Sequence, residues 1–456
     1  MSCVSRIALL GHKLEKQKAR ESLAQGYDIS ARSEAHIELL QVLKTTRVGD
    51  LDRKVKHGEN LTFAEAFCGM CYVLSATNQH FFNQHKRYFE LANGGTFSQM
   101  HALALASAFI NLMATKESLS ALTEHEIAGM ATASTIDVVA RIDLPRVTET
   151  CGMGGDKGFV SGANVKKSIN LSTLSSLVLA GLGLSVIKHG SYGNTSKVGS
   201  TEAIELFGAK TSMWSVKQMN QVMEEGGYCY FDAHNFKTLH DLSHLLMMET
   251  INHIIGPMTT PITYATEITK VMGVNEKVHP ETIARAYALL HGFGLQKVGG
   301  VIAIAGLSQA DMVHNQLDHQ SVRMHTIMDE LSPYRSVVSI SYKDKHLGTH
   351  IISPEDFGIC LDHRHVQIPN DKEAVRKANI EALTGQNPHL VDYLSMNAAL
   401  GLFATEYLPK GDSVQGGLNG RYLVECFGRC RSSIQKGQAK RALAQYVTAT
   451  GGTLTL

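Results

Sequence analysis

A chain of 456 residues is longer than one hydrophobic core usually spans, so two packed units are expected. Its 43 basic and 42 acidic residues leave a net charge of +1, which provides no global field for nucleic acid, acidic lipid or another polyanion; any phosphate selectivity must be local. With 44% hydrophobic residues, 40 Gly and 9 Pro the composition is that of a globular protein, and no apolar run reaches the roughly 18–20 residues that a membrane span needs.

The first ten residues, MSCVSRIALL, lack the charge and apolar length of a secretory leader. The eight Cys are scattered, so reduced thiols, no structural disulfide and a cytoplasmic location are expected. Residues 1–50 are polar and rich in charged helix formers, with a helical pattern at Ile37, Leu40 and Leu43, and read as an N-terminal appendage. From Asp50 to Asp143 the period is helical throughout, and capping boxes mark two helix starts, Thr62 with Glu65 and Thr123 with Glu126.

Beyond Arg146 short β-rich runs alternate with Gly loops and helices: Leu184 to Ile187, Tyr228 to Phe231, Val301 to Ala305 and Ser336 to Ile340. That alternation predicts a largely parallel sheet covered on both faces. Between the second and third strands, Thr238 to Gly273 reads as helical again and contains Gly256-Pro257. The expected class is therefore α/β: a small discontinuous helical domain (51–143 plus 238–273) and a larger α/β domain (144–237 plus 274–456) with a central, mostly parallel sheet. No internal repeat interrupts it.

Three segments of the second unit have anion-binding chemistry. In Glu149-Thr-Cys-Gly-Met-Gly-Gly-Asp156, clustered glycines after a strand-like stretch let backbone amides approach a phosphate closely; taken alone, the same residues make a Gly-rich turn. Asn170-Leu-Ser-Thr173 opens a helix whose free amides and hydroxyls suit an anion, although either hydroxyl also serves as a plain N-cap. Lys188-His-Gly-Ser-Tyr-Gly-Asn-Thr-Ser-Lys-Val-Gly-Ser200 follows a strand, where α/β proteins place ligand loops. It offers Lys188 as a point charge and several hydroxyl donors. His189 suits proton transfer or acceptor contact, but a lone histidine after a strand is more often structural.

In this order and spacing the three segments resemble the anthranilate phosphoribosyltransferase family, whose corresponding loops read GTGGD, NIST and KHGNRxxSSxxGSAD. Gly256-Pro257-Met-Thr-Thr-Pro261, Ser353-Pro-Glu-Asp-Phe-Gly358 and Asn397-Ala-Ala399 are similar to that family's GPLTNPA, PEDFG and NAA, so the likeness covers roughly residues 52 to 448. It implies the fold shared by phosphoribosyltransferases and nucleoside phosphorylases, and a homodimer formed through the helical domain. It also implies a pentosyltransferase: an amine attacks the anomeric carbon of phosphoribosyl pyrophosphate and pyrophosphate leaves with Mg2+. Carried over, Gly152, Gly154, Gly155 and Asp156 line the ribose and pyrophosphate. Asn170, Ser172 and Thr173 bind phosphate, Ser172 also the metal. Lys188, Gly190, Ser191, Ser196 and Ser200 complete the cradle, and His189 faces the acceptor.

Departures from the family pattern bear on acceptor and metal. Residues 157–169 form an enlarged, basic loop with Lys157, Lys166 and Lys167, and its Gly-Asp-Lys beginning is similar to the pyrimidine nucleoside phosphorylases. The family's Asn and Arg after KHG are Ser191 and Tyr192, its carboxylate-gripping Arg would fall near Ser243, and the later Arg of its RTIFN is Glu249. Anthranilate would lose a bidentate partner, normally about 1.5–3 kcal/mol. The magnesium-binding Asp-Glu pair aligns with Ser308 and Gln309, which leaves Asp311 as the nearest carboxylate. The expected activity is thus phosphoribosyl transfer to an amine or nitrogen acceptor that need not be anthranilate. The alternatives are a nucleoside phosphorylase and a noncatalytic phosphate-binding relative. His240 with His244, and Cys68 and Cys71 with Cys426 and Cys430, have metal-ligand spacing but read better as a helix-surface pair and as buried free thiols.

Overall fold

The computed structural model describes residues 33–456 except 120, 137–141, 143, 155–158, 160–165, 194–196, 213–215, 234–250, 308–326, 412, 413, 415–417 and 419. Six helices precede the sheet: α1 (Glu34–Val42), α2 (Val48–Lys56), α3 (Phe63–Thr77), α4 (Gln79–Asn93), α5 (Gln99–Ser118) and α6 (Glu124–Ile136). Helix α3 is the hub, with Phe67, Met70, Tyr72 and Leu74 fully buried between α5 and α6. Both expected capping boxes are present: the Glu65 amide donates to Thr62 Oγ1 at 3.3 Å and the Thr62 amide to Glu65 Oε2 at 2.7 Å. Thr123 and Glu126 repeat the exchange at 3.3 and 2.9 Å. Glu126 is wholly buried, where it pairs with Lys116 and accepts the Leu61 amide, so the second box also ties α6 to α5 and to the start of α3.

Residues 33–50 are not an appendage. Leu40, Leu43 and Val48 are buried in the common core, α1 packs on α3, and α2 packs on α3 and α5. Their apolar stripe is legible in the sequence, but it is narrow and sits among charged residues, so its docking on the following helices is not.

The remaining strands are β1 (Arg146–Gly152), β2 (Lys166–Lys167), β3 (Val186–Gly190), β4 (Tyr228–Asp232), β5 (Glu267–Gly273), β6 (Val298–Leu307), β7 (Ile327–Met328), β8 (Ser336–Tyr342), β9 (Lys345–Ile352) and β10 (Ile368–Pro369). The main sheet runs β4-β3-β1-β5-β6-β8-β9, and β7 pairs with the end of β6. Neighbours from β4 to β6 are parallel, whereas β7, β8 and β9 add antiparallel pairings. All ten residues of β6 are buried, so both faces of the sheet are covered there. Helix α7 (Leu171–Gly181) packs on β1, α11 (Pro280–Gly292) on β6 and β8, and α13 (Pro388–Glu406) on β5 and β6; between α7 and α11 in the chain lie α8 (Ser200–Leu206), α9 (Val216–Gly226) and α10 (Asn252–Met258), followed after α11 by α12 (Lys372–Leu383).

Two sequence expectations change. Glu267–Gly273, read as part of a helical return, is a central strand between β1 and β6. Its polar Thr269 and Lys270 hide the continuous apolar run that marks a buried parallel strand; within the returning segment, Asn252–Met258 is helical and packs on α6. The strand expected at Leu184 to Ile187 begins at Val186 and runs on through Lys188 and His189, which are therefore buried strand residues rather than loop residues.

Candidate active site

The parallel strands β1, β3 and β5 end at Gly152, Gly190 and Gly273, and Gly152 stands opposite Gly273 in register. At this edge the chain after β1 turns through Gly154 at φ +70°, a left-handed conformation that glycine adopts without strain. The Met153 amide donates to the Gly273 carbonyl at 3.0 Å, and Asn275 Nδ2 donates to the Gly154 carbonyl at 3.2 Å. The Gly154 amide donates to Asp329 Oδ2 at 2.7 Å. A Cβ on Gly152 would lie 2.7 Å from Asp329 Cγ, and one on Gly273 would lie 2.8 Å from Asp329 Cα, with the Asp329 carbonyl nearer still. These glycines thus admit the Asp329 backbone and carboxylate.

Glu330 follows at once, and its carboxylate accepts a hydrogen bond from the Ser168 hydroxyl. Of two carboxylates adjacent in the chain, Asp329 thus meets the Gly-rich turn and Glu330 meets Ser168 ahead of α7. The sequence comparison set Ser308 and Gln309 at the family's Asp-Glu positions; an adjacent Asp-Glu pair stands farther on, at Asp329-Glu330, beyond residues 308–326 that separate β6 from β7. Counting back from the next strand, Ser336–Tyr342, would have found it. The alternative ligand Asp311 lies outside the described residues, as do Gly155, Asp156, Ser196, Ser243, Glu249 and the His240–His244 pair.

The second expected segment opens α7. Thr150 Oγ1 on β1 donates to the Ser172 carbonyl at 2.6 Å and fixes the first turn beside the Gly-rich strand end. Ser172 is half-buried; Thr173 is fully buried and its Oγ1 has no hydrogen-bond partner among the described residues. Asn170 has a scaffold role: its Nδ2 donates to the Val198 carbonyl at 2.9 Å and its Oδ1 accepts from Asn379 Nδ2 at 2.8 Å, which joins α7 to the third segment and to α12.

In the third segment a Cβ on Gly190 would meet Ser200 Cβ at 2.6 Å, so these two predicted residues are brought together at the start of α8. The Thr201 amide donates to the Ser191 carbonyl at 3.2 Å, while Tyr192, at the family's Arg position, donates its hydroxyl to Glu205 at 2.9 Å. Lys188 is 2% exposed and its Nζ donates to the His189 carbonyl at 2.6 Å. Burial pulls its pKa down, against the opposing pull of Cys151, Glu149 and Asp329.

His189 does not present a free ring edge to an acceptor. Its Nδ1 bonds to Glu149 and its Nε2 lies 3.1 Å from the Gly256 carbonyl. Glu149 also accepts from Lys270 Nζ and, at 2.7 Å, from Thr260 Oγ1. Burial opposes the charge of Glu149, but His189 and Lys270 beside it hold the carboxyl well below the usual range. Neither Glu149 nor Lys270 was singled out from the sequence, because each occupies a strand position where an apolar residue is the norm.

No group of three or more His, Cys, Asp or Glu with metal-holding geometry occurs among the described residues. Cys68, Cys71, Cys426 and Cys430 are buried, and burial pushes the thiols of Cys68 and Cys426 up to about 12. No helix among the described residues is long and apolar enough to cross a membrane.

Residues 144–296 match the family described as glycosyl transferase family, a/b domain. The anthranilate phosphoribosyltransferase of Methanococcus maripaludis is 29% identical over 289 residues, covering 62% of this chain and 77% of that protein. The Cupriavidus necator enzyme of that name is 28% identical over 313 residues, 68% of this chain and 77% of its own. Among solved structures, the anthranilate phosphoribosyltransferase of Saccharomyces cerevisiae in complex with PRPP and Mg superposes with a TM-score of 0.62 at 17% identity, over 89% of this chain and 98% of that one. The Thermus thermophilus enzyme gives a TM-score of 0.61 at 22% identity, over 88% and 99%. These two likenesses establish the shared fold.

Proposed function

We propose that this chain, a divergent relative of the anthranilate phosphoribosyltransferases, is a transferase that moves phosphoribosyl from phosphoribosyl pyrophosphate to a nitrogen acceptor. The observation that carries this reading is the adjacent pair Asp329-Glu330, with Asp329 held against the Gly152–Gly154 turn. Adjacent carboxylates, with the Ser168 hydroxyl bonded to the second of them, are hard oxygen donors of the kind Mg2+ prefers, so the residues present fit that ion. When bound, Mg2+ supplies positive charge to the departing pyrophosphate.

This chain's own part is to bind and orient. The first turn of α7 offers its amides to the anion, and the Thr173 hydroxyl there is a donor without a partner among the described residues. Displacement at an anomeric carbon develops oxocarbenium character, so positioning and charge neutralisation supply most of the rate. A neutral amine brings its own lone pair and needs no strong base, which agrees with the commitment of both His189 ring nitrogens to internal partners. Ser243 and Glu249 at the family's Arg positions favour an acceptor without a carboxylate in anthranilate's place.

Calorimetric titration with phosphoribosyl pyrophosphate, with and without Mg2+, tests the reading. Binding that requires Mg2+ is expected. No binding in either condition, combined with phosphate-dependent release of base from a nucleoside, would transfer the site to the phosphorylase reading.

A homodimer through the helical layer belongs to the same proposal: Leu91, Met100 and Leu103 on α4 and α5 are exposed, Met100 at 80%. Light scattering should give twice the chain mass at micromolar concentration, and a single-chain mass would remove the dimer from the proposal.

A further inference from the structure

We propose that Glu149 and Lys270 are positioning residues of this site: Glu149 holds His189 as a permanent imidazolium seated on the Gly256 carbonyl, and Lys270 ties Glu149 to the Pro257 carbonyl. The inference builds on the transferase reading, but its geometry stands independently of any ligand. Glu149 accepts from the His189 amide at 3.2 Å, from Thr260 Oγ1 at 2.7 Å, and from the His189 ring and the Lys270 ammonium. An ionised carboxylate has no proton to give, so the Nδ1 that faces it must carry one. The Gly256 carbonyl, 3.1 Å from Nε2, is equally unable to donate. Both ring nitrogens are therefore protonated, and the ring is a cation.

Lys270 is committed in the same way, to Glu149, to the Pro257 carbonyl at 2.7 Å and to Thr260 Oγ1 at 3.3 Å. The surrounding titratable groups are Cys151 on β1, Lys188 on β3 and Tyr287 on α11. One carboxylate against two cations makes a unit of net positive charge. Glu149 and Lys270 are wholly buried and His189 nearly so.

This unit acts through its position. It joins the inner strands β1, β3 and β5 to Gly256, Pro257 and Thr260, the stretch by which the chain leaves α10 on the helical layer and enters the sheet. It therefore fixes the wall between the two layers, one residue before the Gly190 turn. Its standing positive charge lies under the loops that meet the anion, where low dielectric gives it long reach.

Selective 15N labelling of histidine in the full-length protein tests this directly, with the His189 signal identified by its loss in His189→Gln. Both ring N–H groups should persist from about pH 6 to about pH 9, where an ordinary histidine has titrated. In Glu149→Gln the ring should be neutral at pH 7, and Mg2+-dependent affinity for phosphoribosyl pyrophosphate should fall by about tenfold. Lys270→Met should leave the ring doubly protonated, because the carboxylate stays. A wild-type His189 that titrates in the ordinary range overturns the proposal, as does an imidazolium that survives Glu149→Gln. If Glu149→Gln does not fold, the wild-type titration alone decides. Failure of the wild type to bind phosphoribosyl pyrophosphate beside a persistent imidazolium would sink the transferase reading and support the pinned ring.

Discussion

Asp329→Asn should weaken Mg2+-dependent binding of phosphoribosyl pyrophosphate by roughly 10–100-fold while leaving the fold intact. The substitution is almost isosteric, and an amide oxygen still accepts the Gly154 N–H that Asp329 Oδ2 takes at 2.7 Å, so the Gly-rich turn keeps its anchor. What disappears is one full negative charge at the place where a hard divalent cation needs it, and neutral oxygens hold magnesium poorly. Glu330→Gln should act in the same direction, with the Ser168 hydroxyl still donating to its side chain. The unfolding midpoint reports on the scaffold, and calorimetry at several Mg2+ concentrations on the site. Equal affinities for wild type and both variants at every Mg2+ concentration would remove Asp329 and Glu330 from the metal role and with it the main support for the proposed reaction.

How much of this was legible in the sequence depended on whether the chemistry sat in a short local pattern. The Gly-rich turn after β1, the Asn170-Leu-Ser-Thr173 helix start and the stretch from Lys188 to Ser200 are local patterns, and the sheet sets the strands of the first and third side by side. The carboxylate pair was missed because its place is set by spatial return: residues 308–326 separate β6 from Asp329, yet Asp329 comes back against Gly152 and Gly273 at the ends of two other strands. The Glu149–His189–Lys270 unit was missed for a different reason. Each member is an isolated charge in a short strand, and only the parallel register of β1 with β3 and β5 turns three isolated charges into one network. His189 itself was noticed, but its free-ring role assumed a loop; the strand continues through it and turns both nitrogens inward. Residues 33–50 illustrate the same limit on a larger scale, since the burial of Leu40 and Leu43 is supplied by helices that follow them.

Gly273→Ala should be the most damaging of the small substitutions at this site, and comparison with Gly152→Ala shows why. An added Cβ at either position runs into Asp329, but into different parts of it. At Gly152 the nearest atoms belong to the Asp329 carboxylate, which can swing aside at the loss of its bond to the Gly154 amide. At Gly273 they are the carbonyl oxygen, carbon and Cα of Asp329, and backbone cannot rotate away. Relief therefore requires the Asp329 segment to separate from β5, the strand at the centre of the sheet. Overpacking against fixed backbone should cost about 3 kcal/mol or more in denaturant unfolding. Gly152→Ala should cost about 1 kcal/mol, since a side chain can adjust. Ligand binding should follow another order: both variants displace the Asp329 carboxylate, so both should lose most of their Mg2+-dependent affinity for phosphoribosyl pyrophosphate. A Gly273→Ala protein as stable as the wild type would mean that Asp329 does not pack on the end of β5, and the carboxylate pair would then have to be sought elsewhere along the strand ends. A stable Gly152→Ala protein that has lost ligand binding is the expected counterpart, because there the glycine serves the approach of one carboxylate and not the integrity of the sheet.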